Sequence, residues 1–228
     1  MLGLRAPMKP LQFLFDNRDP HSLAYRLRRR RFALTERILD SLPKPARVLD
    51  VGGTENYWKM MGKLGDPSLD LTILNMNPKH AAVDNVRFIA GDARDLSSIG
   101  DGEYDLAFSN SVIEHVGGWA DQLRMASEVR RVGKAYCVQT PNHRFPVEPH
   151  FVFPCFQYLP IPARVWLVRR FRLGWFPRQP DRAAAHHLVT SIRLLTRSEF
   201  SRLFPDGIIV DEKLLGLTKS FTAYRLLS

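Results

Sequence analysis

The chain has 228 residues, of which 45% are hydrophobic and 25% are charged, so it is a globular protein and too apolar for a disordered one. Its two cysteines, Cys137 and Cys155, exclude a disulfide framework and a zinc site made only of cysteines. The net charge of +10 permits anionic partners such as nucleic acid or lipid head groups but does not require them.

The first part of the chain predicts an arm and a helix. Residues 1–21 contain charges and Pro10 without a continuous apolar run, so we interpret them as an N-terminal arm and not a signal peptide. Apolar residues recur at helical spacing over residues 22–42, and Pro43 ends this predicted helix. The whole chain contains no apolar run of about 18 residues, the length that spans a bilayer. With Cys137 in a predicted buried strand, these features favour a cytoplasmic protein.

Short apolar runs alternate with helical or loop segments from residue 45 to residue 140. Strands are predicted at 47–51, 69–74, 86–90, 104–108 and 135–140, and a helix at 119–132. A parallel sheet with right-handed crossovers requires such an alternation, so we expect this fold. Thr196 and Glu199 form the capping box of a further helix. Two final runs, 208–215 and 220–226, are separated by a short link and should pair antiparallel.

A glycine turn follows the first strand, in the order Asp50-Val51-Gly52-Gly53. Such a turn builds a ligand crevice at the carboxyl edge of a parallel sheet, and dinucleotides and S-adenosylmethionine both use it. The third glycine of the dinucleotide fingerprint is missing, and Glu55 would place negative charge where a pyrophosphate lies. Asp50 and Glu55 suit a ligand with an ammonium and a sulfonium, so electrostatics favours S-adenosylmethionine over NAD.

Polar motifs also follow the next three strands. They comprise Asn75 and Met76 after the second strand, Asp92 and Ala93 after the third, and Ser109 and Asn110 at the end of the fourth. With these motifs, residues 45–140 and 208–226 resemble a class I S-adenosylmethionine-dependent methyltransferase of the type 11-like group, which includes small-molecule, quinone and lipid methylases. The resemblance implies an α/β, Rossmann-like fold. Its sheet would have seven mostly parallel strands and an antiparallel final strand, with helices on both faces.

The same resemblance implies how the cofactor is bound at the first two strands. The turn of Asp50, Gly52 and Gly53 would hold its methionine end. Asn75 would accept hydrogen bonds from the ribose hydroxyls, and Met76 would flank the adenine. The chain departs from the family pattern at Thr54 and Asn56, where glycines are usual, and at Asn75, where an acid is usual. A carboxamide accepts hydrogen bonds more weakly than a carboxylate, which predicts weaker cofactor binding.

The third and fourth strands would complete the cofactor site. The resemblance implies that Asp92 accepts a hydrogen bond from the adenine amino group and that the Ala93 N–H donates to a ring nitrogen. The backbone of Ser109 and Asn110 would line the methionine moiety.

Histidines follow the fourth and fifth strands, at the edge where the methyl group would project. His115 is the best candidate for a general base, which a hydroxyl acceptor needs, and its alternative role is to cap the helix that begins near Trp119. Glu-His pairs occur here in quinone-type methyltransferases, so the resemblance implies that Glu114 orients the imidazole or joins a metal site. We expect no metal, because no third ligand is evident nearby. His143 and His150 lie in a proline-stiffened segment that would line the acceptor pocket or satisfy loop backbone groups.

Residues 141–195 are rich in proline, aromatic residues and arginine. We interpret them as a helical, aromatic lid inserted after the fifth strand of a single domain over residues 22–228, with an ordinary satellite core as the alternative. An apolar cover suits a hydrophobic acceptor, and the arginines suit an anionic head group or a membrane surface, hence peripheral membrane contact.

We interpret the chain as an enzyme that transfers a methyl group to an oxygen or carbon of a small-molecule or lipid-like acceptor. One alternative is a non-catalytic binding or assembly protein that keeps the fold. A nucleic-acid methyltransferase is less favoured, since only the charge supports it and Ser109-Asn110-Ser111 stands where a base-methylating Asn-Pro-Pro-Tyr type of motif would lie.

Overall fold

The computed structural model describes residues 22–78 and 83–227 of the chain. Within these residues the strands are β1 (Ala46–Val51), β2 (Leu69–Asn75), β3 (Val86–Ala90), β4 (Tyr104–Asn110), β5 (Gly133–Pro141), β6 (Val147–Glu148), β7 (Phe153–Pro154), β8 (Ile208–Leu214) and β9 (Leu217–Arg225). Seven of them form one sheet in the order β3-β2-β1-β4-β5-β9-β8, and β6 pairs with β7.

The directions of the strands confirm the predicted fold. β1 lies parallel to both β2 and β4, β3 is parallel to β2, and β5 is parallel to β4. β9 runs antiparallel to its neighbours β5 and β8. The central strand β1 is buried at Val48, Leu49, Asp50 and Val51, as expected for a parallel strand that is covered on both faces. The carboxyl ends of β1 to β5 therefore meet at one edge of the sheet.

The helices of the described residues are α1 (Leu23–Asp40), α2 (Glu55–Met61), α3 (Trp119–Val132), α4 (Ile161–Arg170), α5 (Arg182–Thr190) and α6 (Arg197–Leu203). None of them is long and apolar enough to cross a membrane. The capping box of α6 is confirmed, since the Thr196 N–H donates to the Glu199 carboxylate at 2.8 Å and the Glu199 N–H donates to the Thr196 hydroxyl at 3.3 Å.

The chain divides into two compact units after Asp40. Helix α1 belongs to the first unit, and it ends two residues before the predicted position at residue 42. All the other elements named above belong to the second unit. The predicted arm over residues 1–21 lies outside the described residues, and the predicted domain boundary at residue 22 stays a prediction.

The predicted insertion after β5 is an ordered region with its own core. Helices α4 and α5 pack around a buried cluster of Phe151, Phe156, Val165, Val168, Ala185 and Val189. The rings of Phe151 and Phe156 are stacked, with centroids 4.1 Å apart. The sequence shows no clean period here because both helices are short and prolines flank them. The region therefore has a small core of its own, and its role as a lid stays a prediction.

Candidate functional site

The glycine turn after β1 encloses a buried carboxylate. Asp50 is 1% exposed, and the indole N–H of Trp58 donates to its Oδ2 at 2.6 Å. Burial raises the pKa of Asp50 to about 7, although the bond from Trp58 acts in the opposite direction. A Cβ on Gly53 would lie 1.6 Å from Oδ2, and a Cβ on Gly52, whose φ is +79°, would lie 2.4 Å from Val112. The turn therefore requires glycine at both positions.

The end of β2 is tied to this turn by Asn75. Its amide nitrogen donates to the Gly53 carbonyl at 3.0 Å, and its Oδ1 accepts the Asn77 N–H at 3.2 Å. The carboxamide thus fixes the spacing between the two strand ends and keeps one oxygen lone pair for a further donor. Met76 is next to it and is 70% exposed.

The end of β3 carries an ion pair that the sequence reasoning missed. Arg94 Nε donates to both oxygens of Asp92, at 2.9 and 3.0 Å, and Nη2 donates to Oδ2 at 2.6 Å. These bonds lower the pKa of Asp92. Arg94 also reaches the Val116 carbonyl at 3.4 Å and Asp121 at 3.3 Å, so it links this loop to the segment after β4. Ala93 between them is buried.

The end of β4 is fixed by hydroxyl groups. The buried Ser109 donates to the Val51 carbonyl at 2.9 Å, which joins β4 to the glycine turn. Ser111 has a φ of +56° and donates through its hydroxyl to Gln139 at 2.8 Å. Between them, Asn110 ends the strand at the same edge as Asp50 and Asn75. The four predicted strand-end motifs therefore share one edge of the sheet.

Glu114, His115 and His150 form a cluster beside this edge. Each residue has a potential ligand atom within 4.8 Å of the others, and the rings of the two histidines meet edge to face with centroids 4.8 Å apart. Glu114 is fully buried, and its Oε2 accepts the Thr140 hydroxyl at 3.0 Å. His150 Nδ1 lies 2.7 Å from Oε1 of Glu148. The expectation that no third ligand lies near Glu114 and His115 is wrong, because the hairpin of β6 and β7 brings in His150.

The cluster has strongly shifted protonation equilibria. Burial raises the pKa of Glu114. Burial also lowers the pKa of His115 to about 4, and the neighbouring His150 lowers it further. Burial alone would lower the pKa of His150, but the hydrogen bond to Glu148 and the carboxylates around it outweigh burial and raise the value. At neutral pH the His115 imidazole is therefore uncharged and has a free nitrogen lone pair.

A cavity of about 530 Å³ lies between the loops after β4 and β5 and the helices α4 and α5. Its lining includes Gly117, His143, Glu148, Phe151, Phe156, Ile161, Arg164, Val189, Ile192, Arg193, Leu194 and Glu199. His143 is therefore separate from the histidine cluster and lines the cavity, with its ring 5.2 Å from that of Tyr158. Burial lowers the pKa of His143. Glu148 belongs to both places, because it lines the cavity and holds His150.

Comparison with known proteins finds a family for the central part of the chain. Residues 49–136 match a family model described as a methyltransferase domain. This part of the chain is therefore similar to class I methyltransferase domains. Such domains generally use S-adenosylmethionine, in agreement with the cofactor that the sequence predicts.

Relatives of the methyltransferase domain say little about its acceptor. An uncharacterized protein of Mycobacterium tuberculosis is 39% identical over 67 residues, which make up 29% of this chain and 23% of that protein. The alignment thus spans less than a quarter of the curated relative. Among solved structures, CurJ carbon methyltransferase has a TM-score of 0.56 at 13% identity, covering 96% of this chain and 61% of its own. A protein of Pyrococcus horikoshii OT3 also has a TM-score of 0.56, at 16% identity, and the alignment covers 97% of this chain and 100% of that protein. At these identities the likeness shows the fold alone.

The residues of the methyltransferase domain fit the cofactor at the glycine turn. A cavity of about 270 Å³ is lined by Gly53, Thr54, Glu55, Asn56, Ile73, Asn75, Asn77, Pro78 and Phe88. Oδ1 of Asp50 is buried without a hydrogen-bond partner among the described residues, and such an oxygen suits an ammonium group. Asn75 and Asp92 each keep acceptor capacity beside the bonds they already make. Thr54 and Asn56 replace glycines without filling this cavity.

Some site residues lie beyond what sequence reasoning found. Arg94 stands two positions after Asp92, a spacing that would have flagged it as a partner. Arg164 and Arg193 line the large cavity from α4 and from the segment after α5. Arg193 is held by Gln122 at 2.6 Å and by Glu199 at 2.5 Å. Because this segment has no clear periodicity, its sequence does not distinguish arginines that line the cavity from exposed arginines.

Proposed function

We propose that this chain transfers a methyl group from S-adenosylmethionine to an oxygen or a carbon of a small-molecule or lipid-like acceptor. The observation that carries the proposal is the cavity of about 530 Å³ beside the sheet edge. Its size lies in the range of small-molecule sites, which are mostly apolar with a few polar groups. The cofactor would bind across the ends of β1 to β4, and the acceptor would enter from the lid side.

The walls of the cavity favour an acceptor with an apolar body. Phe151, Phe156 and Ile161 form an apolar wall that loses contact with water when a hydrophobic ligand binds. Closure by α4 and α5 would exclude water from the transfer step, which needs alignment of the acceptor atom with the methyl group more than covalent help.

One cation in the cavity favours an acceptor with an anionic group. Arg164 is half-buried, and its Nε has no hydrogen-bond partner in the described part of the chain. Burial lowers the pKa of Arg164, although Glu148 opposes this effect. A carboxylate or phosphate on the acceptor would supply the missing partner.

The polar end of the acceptor would face the histidines. We assign His115, Glu114 and His150 to the reacting atom of the acceptor and His143 to the opposite wall of the cavity. A neutral imidazole accepts a proton or a hydrogen bond from a hydroxyl, which is the group an O-methyltransferase must activate.

Labelled methyl transfer tests this function. The full chain is incubated with methyl-labelled S-adenosylmethionine and an organic extract of cells, and labelled products are separated by chromatography. We expect a labelled small molecule with the wild type and about tenfold less with Arg164→Ala, which loses a charged hydrogen bond. Arg87→Ala is the matched control and should keep full activity. Arg87 lies on β3 and forms an exposed ion pair with Asp70 of β2. Equal loss in both variants, or no labelled product, would overturn the proposal.

The second candidate function is a non-catalytic binding protein with the same fold. The internal bonds of Asn75 and Asp92 favour it, because both side chains are held in place without a cofactor. Binding of S-adenosylmethionine without any labelled product in the experiment above would support this candidate over the enzyme.

The exposed side of the lid supports peripheral contact with an anionic lipid surface. Trp166 and Phe171 are 55% and 50% exposed, and their rings meet edge to face with centroids 5.9 Å apart. Arg169, Arg170 and Arg172 are exposed beside them. Aromatic rings at head-group depth with flanking arginines are the composition of an interfacial anchor.

A further inference from the structure

We propose that Glu114, His115 and His150 bind a divalent transition-metal ion beside the acceptor cavity. The three residues come from two segments that are distant in sequence, the short helix Ile113–His115 after β4 and the loop between β6 and β7. Their potential ligand atoms lie within 4.8 Å of one another. Ligand atoms bound at about 2.1 Å in a tetrahedral site lie roughly 3.4 Å apart, so adjustments of about 1 Å would close the site.

The carboxylate of Glu114 lacks a partner that a cation would supply. Glu114 is fully buried, and Thr140 donates to Oε2. Oε1 is buried with no hydrogen-bond partner among residues 22–78 and 83–227. An unpartnered buried carboxylate oxygen is costly, and metal coordination is one of the few ways to stabilise it.

The surroundings of His150 are those of a metal ligand. Its Nδ1 lies 2.7 Å from Oε1 of Glu148, and the other oxygen of Glu148 accepts the backbone N–H groups of His150 and Phe151 at 2.8 and 2.7 Å. The carboxylate is thus held rigidly and fixes the ring. A proton on Nδ1 leaves Nε2 as the ligating atom, the arrangement found where a carboxylate orients a metal-bound histidine.

The ligand set indicates which ions fit. Two imidazole nitrogens and one carboxylate oxygen suit zinc, manganese, iron or cobalt, whereas calcium and magnesium prefer oxygen ligands. Three protein ligands leave at least one position open, which is the pattern of catalytic sites. Glu148, which holds His150, lines the acceptor cavity, so an ion at this site would lie next to a bound acceptor.

The site deepens the proposed function and rests on it for its role in catalysis. With an ion bound, His115 would be a ligand, and the ion would take over from the imidazole in activating the acceptor hydroxyl. A hydroxyl of the acceptor bound to the ion would lose its proton to water more readily. The resulting oxygen would form a bond to the methyl carbon as the carbon–sulfur bond breaks, and the cofactor would leave as a neutral thioether. No oxidant or reductant is needed.

Metal binding is measured on the full chain without cofactor or acceptor, so its outcome is independent of methyl transfer. The chain is stripped with EDTA, dialysed and titrated with Zn²⁺ in competition with a chromophoric chelator, and with Co²⁺ by visible absorption. We expect one tight equivalent and a cobalt d–d band. Glu114→Gln and His150→Ala should abolish both, and Glu148→Gln should weaken binding by about 10- to 100-fold through the orientation of His150.

The matched control removes histidines outside the cluster. His186 and His187 are exposed on α5, and the double variant His186→Ala/His187→Ala should bind like the wild type. Circular dichroism establishes that each variant is folded. The proposal is overturned if the wild type takes up no equivalent, if the double variant loses as much affinity as His150→Ala, or if folded Glu114→Gln retains full affinity.

Discussion

Arg94 holds the carboxylate of Asp92 on both oxygens, with Nε donating to Oδ1 at 2.9 Å and Nη2 donating to Oδ2 at 2.6 Å. The Arg94 backbone N–H adds a bond to Oδ1 at 2.9 Å. These three donors occupy three of about four acceptor positions of a carboxylate, so one remains for a further donor, which we propose is the adenine amino group. Asp92 is therefore preorganised and not blocked.

Asp92→Ala should weaken the binding of S-adenosylmethionine by roughly 10- to 100-fold, because it removes a charged acceptor and releases Arg94. Calorimetric titration measures the change. Asp95→Ala is the control, since Asp95 lies in the same loop, is exposed and bonds to the Ser97 N–H. Equal affinities of the Asp92→Ala variant and the wild type would contradict the assignment.

Gly53→Ala should destabilise the glycine turn, because the added methyl group would overlap the carboxylate of Asp50. We expect a loss of about 1–3 kcal/mol in the free energy of unfolding, measured by urea denaturation, together with weaker cofactor binding. Gly118→Ala is the matched control, as no heavy atom lies within 4 Å of a Cβ there. If both variants are equally stable, the close packing of the turn is wrong.

Asp50 should make stability fall as pH rises. Its pKa is about 7 in the folded chain and near 3.8 when exposed, so between these values the folded state binds more protons than the unfolded state. The free energy of unfolding therefore decreases through this window and levels off above pH 7. From about pH 5 to about pH 8 the wild type should lose roughly 3 kcal/mol relative to Asp50→Asn, whose amide does not titrate.

Urea denaturation at both pH values gives this difference. Asp101→Asn, at an exposed side chain, is the control and should follow the wild type. A gap between wild type and Asp50→Asn that stays constant with pH would show that Asp50 is ionised in the fold.

His115→Ala should spare cofactor binding and reduce turnover. The ring of His115 packs against that of His150, which lies outside the proposed cofactor site, so we expect the affinity for S-adenosylmethionine to stay within twofold. Formation of S-adenosylhomocysteine should fall by about 100-fold or more, the scale of a lost acid–base or metal-ligand group. His187→Ala, on the exposed face of α5, should leave both quantities unchanged. Full turnover in His115→Ala would remove it from the reacting centre.

The lid should bind anionic vesicles. Arg170→Glu/Arg172→Glu reverses two exposed charges next to Trp166 and should lower the partition coefficient onto phosphatidylglycerol vesicles, since each arginine near the surface contributes about 1 kcal/mol. Cosedimentation measures it. The charge-matched control Arg87→Glu/Arg124→Glu lies outside the lid. If both double variants lose the same amount of vesicle binding, net charge alone explains the loss and the lid is not the membrane-binding surface.

The sheet was largely predictable because its central strands are mostly buried. In β2, for example, Leu69, Leu71, Ile73 and Leu74 are buried, and the predicted strand ends differ from the observed ones by no more than three residues. The strand-end motifs then follow from topology, since parallel strands bring Asp50, Asn75 and Asn110 to one edge.

The acceptor side was only partly predictable. The sequence places Glu114 and His150 far apart, and only the turn of the β6–β7 hairpin brings them together, so no local pattern reveals the cluster. The lid was predicted to be helical, but the bounds of α4 and α5 were not, because Pro162 and Pro180 interrupt the apolar pattern around them. Interior arginines such as Arg164 look like surface arginines in sequence, and the cavity alone distinguishes them.

Isothermal titration of the purified chain with S-adenosylmethionine tests the account most directly, because every proposed role depends on a cofactor at the ends of β1 to β4. We expect saturable binding of a single equivalent in the wild type, with lower affinity in Asp92→Ala. Absence of any heat change or saturation at millimolar cofactor, in a chain that circular dichroism shows to be folded, would contradict it.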